Sequence, residues 1–294
     1  MNKRLKQFME EKLPLLHTHF DRLFDEKDVP ETLRKAMAYS VDAGGKRIRP
    51  LLVLAVLEDL GATSEDAIRV AGAIELIHTY SLIHDDLPCM DDDDFRRGNP
   101  TNHIVFGEAA AVLAADALQT LAFEELASLA HTDPGTMIRI LRSVSRASGA
   151  EGMVGGQVLD MEGEGRELTL TELETIHNLK TGALLSCCVE CGALLAHATD
   201  DTLSALRVFS SNIGLAFQIK DDILDVTAST EQLGKTANKD TESEKSTYPA
   251  LLGLDGAAGR LADHHRRAKE ALLEAGLKGS LAADIADYII DRNA

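Results

Sequence analysis

The sequence predicts an all-α fold, and three observations support this prediction. Stretches rich in Ala, Leu and Glu, which favour helix, run through the 294 residues, and only 7 residues are proline. Apolar residues recur at helical spacing along most of the chain. No segment has a convincing strand pattern, and no shift in composition marks a linker. We therefore expect one all-α domain spanning residues 1–294.

Composition and charge restrict what the protein can do. With 45% hydrophobic and 27% charged residues, the chain has the balance of a globular protein with ample core material. The net charge of −18 argues against nucleic acid and anionic membranes as partners. No apolar run approaches the roughly 18–20 residues that cross a bilayer, and the N-terminus lacks the apolar core of a signal peptide. We expect a cytoplasmic protein without a membrane span.

The N-terminal part of the chain predicts three helices. Apolar residues at helical spacing place an amphipathic helix over residues 3–26. Pro30 is suited to start a second helix, which runs to about Val41. The apolar run Leu51–Leu57 predicts a buried third helix that Gly61 ends.

A basic loop, Asp42–Pro50, separates the second and third helices. Gly44 and Gly45 let its backbone approach a ligand closely, and three cationic residues follow within four positions, beginning with Lys46 and ending with Arg49. The loop is a candidate phosphate site. Taken alone, a glycine pair followed by basic residues is also a common surface turn.

The stretch Ile74–Gly98 holds the strongest chemical signal. It opens as an apolar helix in which His78, Ser81 and Asp85 share one face. Aspartates then crowd into ten positions and two arginines follow them: Asp85, Asp86, Asp91, Asp92, Asp93, Asp94, Arg96 and Arg97. A buried carboxylate cluster costs several kcal/mol per ion unless it is solvated, protonated or metal-bound. Without a Cys or His ligand set nearby, such carboxylates favour magnesium. The competing interpretation is a solvated acidic helix end.

Further helices follow this stretch. We expect helix over about residues 108–130 and 136–149, with a break at Pro134-Gly135. A segment containing Gly155-Gly156 then places Gln157 and Asp160 on one face. The next helix, capped by residues 169–171, carries Lys180 and Thr181, and the tail from about residue 263 to 293 returns to helix.

A second acidic cluster lies 136 positions after the first. Asp221 and Asp225 are four residues apart, with Asp222 beside them, at the end of the apolar segment Ile213–Ile223. Two such clusters, each after a long apolar helix, are hard to explain as solvated faces. A polar stretch of roughly 20 residues follows, and a loop of that length in a compact domain is usually functional.

Together these features predict one chemistry. Two carboxylate clusters at the mouth of an apolar helical cavity would hold magnesium ions, and nearby cations would clamp an anion. The cations are Lys46, Arg49, Arg96, Arg97, Lys180, Lys235 and Lys245. The expected ligand is a multiply charged phosphate with a hydrocarbon tail. Neutralising a diphosphate makes it a leaving group, and a carbocation would form in a site shielded from water.

Six ordered motifs resemble the trans-prenyl diphosphate synthases, in particular the bacterial farnesyl diphosphate synthases. They are GGKRIRP, HDDLPCMDDDDFRRG, GGQVLDM, KTGALL, FQIKDDILD and KSTYPAL, and they cover about residues 41–252. The resemblance implies a helical bundle around a deep central cavity, acting as a homodimer. It also implies a transferase that condenses isopentenyl diphosphate with dimethylallyl and geranyl diphosphate, giving farnesyl diphosphate and diphosphate by ionisation, condensation and elimination.

The same resemblance implies a role for each matching residue. Asp85 and Asp91, with Asp86, would bind two magnesium ions, and Asp221 a third, supported by Asp222 and Asp225. Because Asp85 and Asp91 are six residues apart, the chain at Pro88-Cys89 must loop for both to reach the metals. The allylic diphosphate would contact Arg96, Lys180 and Lys235. The isopentenyl diphosphate would contact Lys46, Arg49, His78 and Arg97. Lys245 would be a further substrate contact, and Thr181 and Gln218 would line the reacting centre.

Tyr80 is the candidate for limiting product length. It lies five residues, about 7.5 Å of helix rise, before Asp85. In the family, an aromatic residue at this position resembles a cavity floor that limits the product to fifteen carbons. The small Ser81 leaves room for the ten-carbon intermediate. The alternative is that Tyr80 is an ordinary core aromatic.

Three other functions remain open at this point. A geranylgeranyl diphosphate synthase shares nearly all the motifs, and only the surroundings of Tyr80 speak against it. A class I terpene cyclase would carry Asn, Ser and Glu in its second motif, where this chain has aspartates. A non-enzymatic, cation-binding helical protein would leave Lys46, Arg49, Arg97 and Lys180 without a purpose.

Overall fold

A computed structural model describes residues 1–227 and 246–292 and confirms the all-α prediction. Lys235 and Lys245 lie outside the described residues. The helices are α1 Lys3–Asp25, α2 Glu31–Asp42, α3 Ile48–Asp59, α4 Ala67–Asp85, α5 Asn102–Phe106, α6 Glu108–Ala127, α7 Pro134–Ser148, α8 Met153–Gly163, α9 Leu170–His177, α10 Ala183–Leu195, α11 Asp200–Thr227, α12 Tyr248–Glu274 and α13 Leu281–Asp291. A π-helical turn, Asn178–Gly182, joins α9 to α10.

Three helices make up the interior of the protein. Nearly every residue of α3 is buried, and so are most residues of α4 and α10. A helix that is apolar on all sides has to be surrounded by other elements. At Gly192 of α10, an added Cβ would lie 2.5 Å from the carbonyl oxygen of Val53, so glycine allows α10 to pack directly on α3. The amphipathic α1, α7 and α13 cover this interior.

The expectation of no strand is wrong over four residues. Phe95–Arg96 pairs antiparallel with Asn99–Pro100. The turn residues Arg97 and Gly98 have φ of 54° and 79°, the left-handed conformation that two-residue hairpin turns require. Strands of two residues are too short to produce an alternating pattern in the sequence. The hairpin presents two consecutive arginines beside the end of α4.

The predicted helical tail is divided in two. Gly276 and Gly279 have φ of 77° and 64°, which ends α12 and reverses the chain. The side chain of Ser280 then accepts a hydrogen bond from the backbone N–H of Ala283 and caps α13.

Across the ranges 1–227 and 246–292, none of the helices is both long enough and apolar enough to span a membrane.

Candidate active site

The basic loop is fixed to α4 by a buried ion pair. The guanidinium of Arg47 lies 2.6 Å from the carboxylate of Glu75 and also donates to the carbonyl of Val41. Both charged side chains are 3% exposed. Removing either partner would leave the other charge buried and unpaired, which is strongly destabilising. Arg47 therefore holds the loop in place. Its neighbours in the loop can then contact a ligand.

Arg49 and His78 contact each other at the edge of the central cavity. Arg49 Nη1 lies 3.2 Å from His78 Nε2. Because arginine can only donate, His78 Nε2 must accept this hydrogen bond. Burial, and then the charge of Arg49, lower the pKa of His78 well below its usual value. His78 is thus neutral, with its proton on Nδ1.

Arg97 closes on the same loop from the hairpin. It donates a hydrogen bond to the carbonyl of Gly44. An added Cβ at Gly45 would lie 2.5 Å from the guanidinium carbon of Arg97, and the φ of 111° at this position also favours glycine. The structure thus brings together Arg49, His78 and Arg97, which were predicted to share one diphosphate.

The chain folds back after Asp85, at the end of α4. The backbone N–H of Asp91 donates to the carbonyl of Asp85 at 2.8 Å, and that of Asp92 donates to Leu87 at 3.1 Å. Asp92 has φ of 51°, which turns the chain sharply. The predicted loop therefore returns Asp91 to the side of Asp85.

The electrostatics of this turn favour a bound cation. Burial raises the pKa of Asp85 to about 6, Lys180 partly offsets that rise, and the neighbouring Asp91 adds to it. A carboxylate held out of water beside other carboxylates is stabilised by any cation that enters. Hard oxygen ligands of this kind suit magnesium.

Asp86 and Arg96 are paired with each other. Arg96 Nε lies 2.8 Å and 2.9 Å from the two carboxylate oxygens of Asp86. Asp86 is buried, and such a fork-shaped contact is both strong and directional. The predictions gave Asp86 to a metal and Arg96 to a diphosphate. In this structure the two side chains contact each other, and both assigned roles stay predictions.

Lys180 approaches Asp85 from the opposite wall. It lies in the π-helical turn, and its Nζ lies 2.7 Å from Asp160 of α8. An added Cβ at Gly156 would lie 2.2 Å from the backbone nitrogen of Lys180. Glycine at that position therefore lets α8 pack against the π-helical turn. This contact fixes the backbone positions of Lys180 and Thr181. Single π-helical turns are frequent at functional sites.

The two adjacent aspartates of the second cluster contact different partners. Asp221 lies 2.7 Å from Arg292, which follows α13. Burial and the charge of Arg292 lower the pKa of Lys46, and Asp221 opposes them, so Asp221 faces the basic loop. Asp222 is turned away, because it accepts a hydrogen bond at 2.9 Å from the backbone N–H of Tyr248 at the start of α12.

The remaining predicted residues of α11 are placed more simply. Asp225 is buried, and Gln218 is half-buried one turn before Asp221.

Arg292 was missed by the sequence analysis. Its guanidinium lies 4.1 Å from the centre of the Phe217 ring and also donates to the carbonyl of Phe217. Nothing local distinguishes this arginine from an ordinary surface residue near a chain end.

A cavity of about 560 Å³ lies below these charges. The predicted site residues that line it are Arg49, His78, Tyr80, Ser81, Asp85, Lys180 and Thr181. Its lower wall is apolar and comes largely from α8, through Met153, Val154, Val158 and Met161. The sequence analysis missed this wall, although its apolar residues recur at helical spacing. The volume is within the 300–1,000 Å³ range typical of ligand sites.

Among the described residues, the carboxylates alone do not form a metal cage. Within the part of the chain that the structure describes, no three His, Cys, Asp or Glu side chains are grouped so that they could hold a metal ion. Magnesium commonly binds one or two carboxylates and takes its other ligands from water and substrate phosphate. Asp85 and Asp91 fit that mode, since they lie at the mouth of a cavity rimmed with cations.

Comparison with known proteins agrees with this chemistry. The family model for polyprenyl synthetase matches residues 30–278. The chain is 48% identical to the farnesyl diphosphate synthase of Bacillus subtilis (strain 168), over 100% of both proteins. It is 46% identical to a chloroplastic geranylgeranyl pyrophosphate synthase of Capsicum annuum, over 98% of this chain and 79% of that one.

A solved structure shares the whole fold. The geranyltransferase of Helicobacter pylori, complexed with magnesium and isoprenyl diphosphate, has a TM-score of 0.82 at 32% identity. The match covers 99% of this chain and 97% of that one. As its motifs predicted, the chain belongs to the polyprenyl synthetase family.

Proposed function

We propose that the protein is a prenyltransferase that makes farnesyl diphosphate. It condenses isopentenyl diphosphate with dimethylallyl diphosphate and then with geranyl diphosphate, and releases diphosphate each time. The observation that carries this proposal is the cavity, which has Arg49, Lys180 and Asp85 among its lining residues and an apolar wall beside Tyr80. A diphosphate fits the rim and a hydrocarbon chain fits the wall.

Magnesium would bind at the acidic rim of the cavity. Asp85 and Asp91 would hold two ions and Asp221 a third. When bound, magnesium withdraws charge from that diphosphate and makes it a better leaving group. Lys180 and Arg96, which both lie near Asp85, would face this diphosphate and stabilise the charge that develops as the bond to carbon breaks.

A second set of residues positions isopentenyl diphosphate. Lys46, Arg49 and Arg97 supply the positive charge, and neutral His78 adds a hydrogen-bond donor at Nδ1. Arg47 contributes indirectly, by holding the loop. With both diphosphates fixed at the rim, the double bond and the allylic carbon meet beside the apolar wall of the cavity. The proton released afterwards passes to the departing diphosphate, since the motifs supply no obvious side-chain base.

Product length follows from the depth of the cavity. Tyr80 is 5% exposed and lies along the cavity wall, below Asp85. We propose that its ring stops the growing chain at fifteen carbons. The competing function is a geranylgeranyl diphosphate synthase, which would need a deeper cavity. In either case we propose a cytoplasmic homodimer.

One assay tests both the reaction and the length limit. The purified protein is incubated with magnesium, isopentenyl diphosphate and dimethylallyl diphosphate, and the products are dephosphorylated and separated by chromatography. We expect a fifteen-carbon product from the wild type and longer products from Tyr80→Ala. A twenty-carbon product from the wild type would favour the geranylgeranyl synthase, and no condensation at all would refute the proposal.

A further inference from the structure

Two aromatic rings of α4 touch inside the cavity. Tyr80 and His84 are four residues apart, so they lie one above the other on the same face of the helix. Their ring centres are 5.9 Å apart and the ring planes meet at 77°. Both rings line the cavity. An edge-to-face pair of this kind has a preferred geometry, so each ring restrains the other.

Hydrogen bonds do not fix the Tyr80 ring. The Tyr80 hydroxyl is buried and, among the described residues, has no hydrogen-bond partner. The same holds for His84 Nε2. A phenol ring with an unbonded hydroxyl keeps its orientation only through the groups that pack against it. The ring contact of Tyr80 that the described residues show is the one with His84.

His84 also lies near a second helix. Its Nε2 lies 4.0 Å from a carboxylate oxygen of Asp116 on α6, which is beyond hydrogen-bond distance. The Asp116 side chain is 59% exposed and does not line this cavity. His84 therefore lies next to both Tyr80 and α6.

We propose that His84 determines product length by holding the Tyr80 ring across the cavity. His84 is thus a positioning residue that acts through Tyr80, and this inference rests on the proposed function of Tyr80. Without the imidazole, the phenol ring can turn into the space that His84 occupied. The cavity then becomes deeper, and a fifteen-carbon product is extended further.

Product ratios of the wild type and three variants test this proposal. Wild type, His84→Ala, His84→Phe and Tyr80→Ala are assayed at saturating magnesium and matched conversion. We expect His84→Ala to raise the ratio of twenty-carbon to fifteen-carbon product roughly tenfold, which corresponds to losing one aromatic pair. His84→Phe keeps an aromatic edge and should restore the wild-type ratio. If His84→Ala does not fold, His84→Leu serves in its place, because it keeps the volume without the aromatic ring.

The double variant shows whether the effect passes through Tyr80. In a Tyr80→Ala background, His84→Ala should change the ratio by less than about twofold, since coupled positions are not additive. An unchanged ratio in His84→Ala, or an equal effect in both backgrounds, would overturn the proposal. So would a ratio that moves only together with the half-saturating magnesium concentration, because that would indicate damage to Asp85. A wild type that makes no fifteen-carbon product refutes the proposed function instead.

Discussion

At the residue scale, neighbouring side chains of one motif perform different tasks. Arg47 and Arg49 are two positions apart, yet Arg47 is buried against Glu75 and Arg49 lines the cavity. Asp221 and Asp222 are adjacent, yet one faces Arg292 and the other binds the start of α12. The residue types alone do not show which member of such a pair is buried and which faces the site. That depends on which distant elements each side chain contacts.

Asp85 gives the site a pH dependence. Burial raises its pKa from 3.8 to about 6 in the folded protein. Between these values the unfolded chain loses the proton while the folded chain keeps it, so stability decreases as pH rises through this window. Asp85→Asn cannot ionise. We expect it, without magnesium, to melt above the wild type at pH values higher than 6, with the difference vanishing below about pH 4.

Thermal melts in EDTA, from acidic to neutral pH, measure this difference. Adding magnesium and diphosphate should reverse the order, because only the wild type can bind the ion through residue 85. The variant should also lose at least about a hundredfold in activity at neutral pH. Melting curves that shift with pH equally in both proteins would show that Asp85 does not carry the raised pKa.

At the scale of elements, the helices were predictable but their junctions were not. Helical periodicity and the breaks at Gly61 and Pro134 sufficed to place α1, α2 and α6 within a few residues. The π-helical turn, the hairpin and the contact of Arg292 with Asp221 depend on residues that meet only in three dimensions. Arg292 lies 71 positions from its partner, and no local pattern joins them. The resemblance to a family, rather than periodicity, identified most of the site.

The junction of α8 with the π-helical turn should tolerate no side chain at Gly156. An added Cβ would lie 2.2 Å from the nitrogen of Lys180, so backbone would have to move. We expect Gly156→Ala to lower the free energy of unfolding by about 3 kcal/mol and to reduce activity by displacing Lys180. Denaturant titration and steady-state kinetics measure the two effects.

Gly259 of α12 is the matched control. It is also a helical glycine, but an added Cβ meets nothing within 4 Å. Gly259→Ala should therefore raise stability by about 0.5–1 kcal/mol, because alanine favours helix. If both substitutions change stability in the same direction, the close packing of α8 on the turn is not what selects glycine.

At the scale of the whole molecule, a second apolar groove is larger than the cavity. It has a volume of about 680 Å³, lies between α2 and α6, and contains none of the predicted site residues. Ile104, Val105 and Leu113, on α5 and α6 nearby, are 52%, 45% and 60% exposed. Clustered exposed apolar residues mark interaction surfaces. The resemblance to the family implies a homodimer, and we propose that it forms through this face.

A charge at Leu113 tests the dimer face. Leu113→Glu places a carboxylate in the groove and should shift the mass measured by light scattering from two chains to one. Leu273 of α12 is similarly exposed, at 55%, and does not line the groove. Leu273→Glu should leave the mass unchanged. A dimer that persists in Leu113→Glu would place the interface elsewhere.

The account depends on acidic residues from two distant helices reaching one diphosphate above an apolar cavity. A crystal structure of the protein with magnesium and an unreactive thio-analogue of dimethylallyl diphosphate tests this most directly. We expect oxygens of Asp85, Asp91 and Asp221 at about 2.1 Å from magnesium ions shared with the diphosphate, and the hydrocarbon tail pointing toward Tyr80. A diphosphate bound away from these carboxylates, or a tail directed into solvent, would contradict the account.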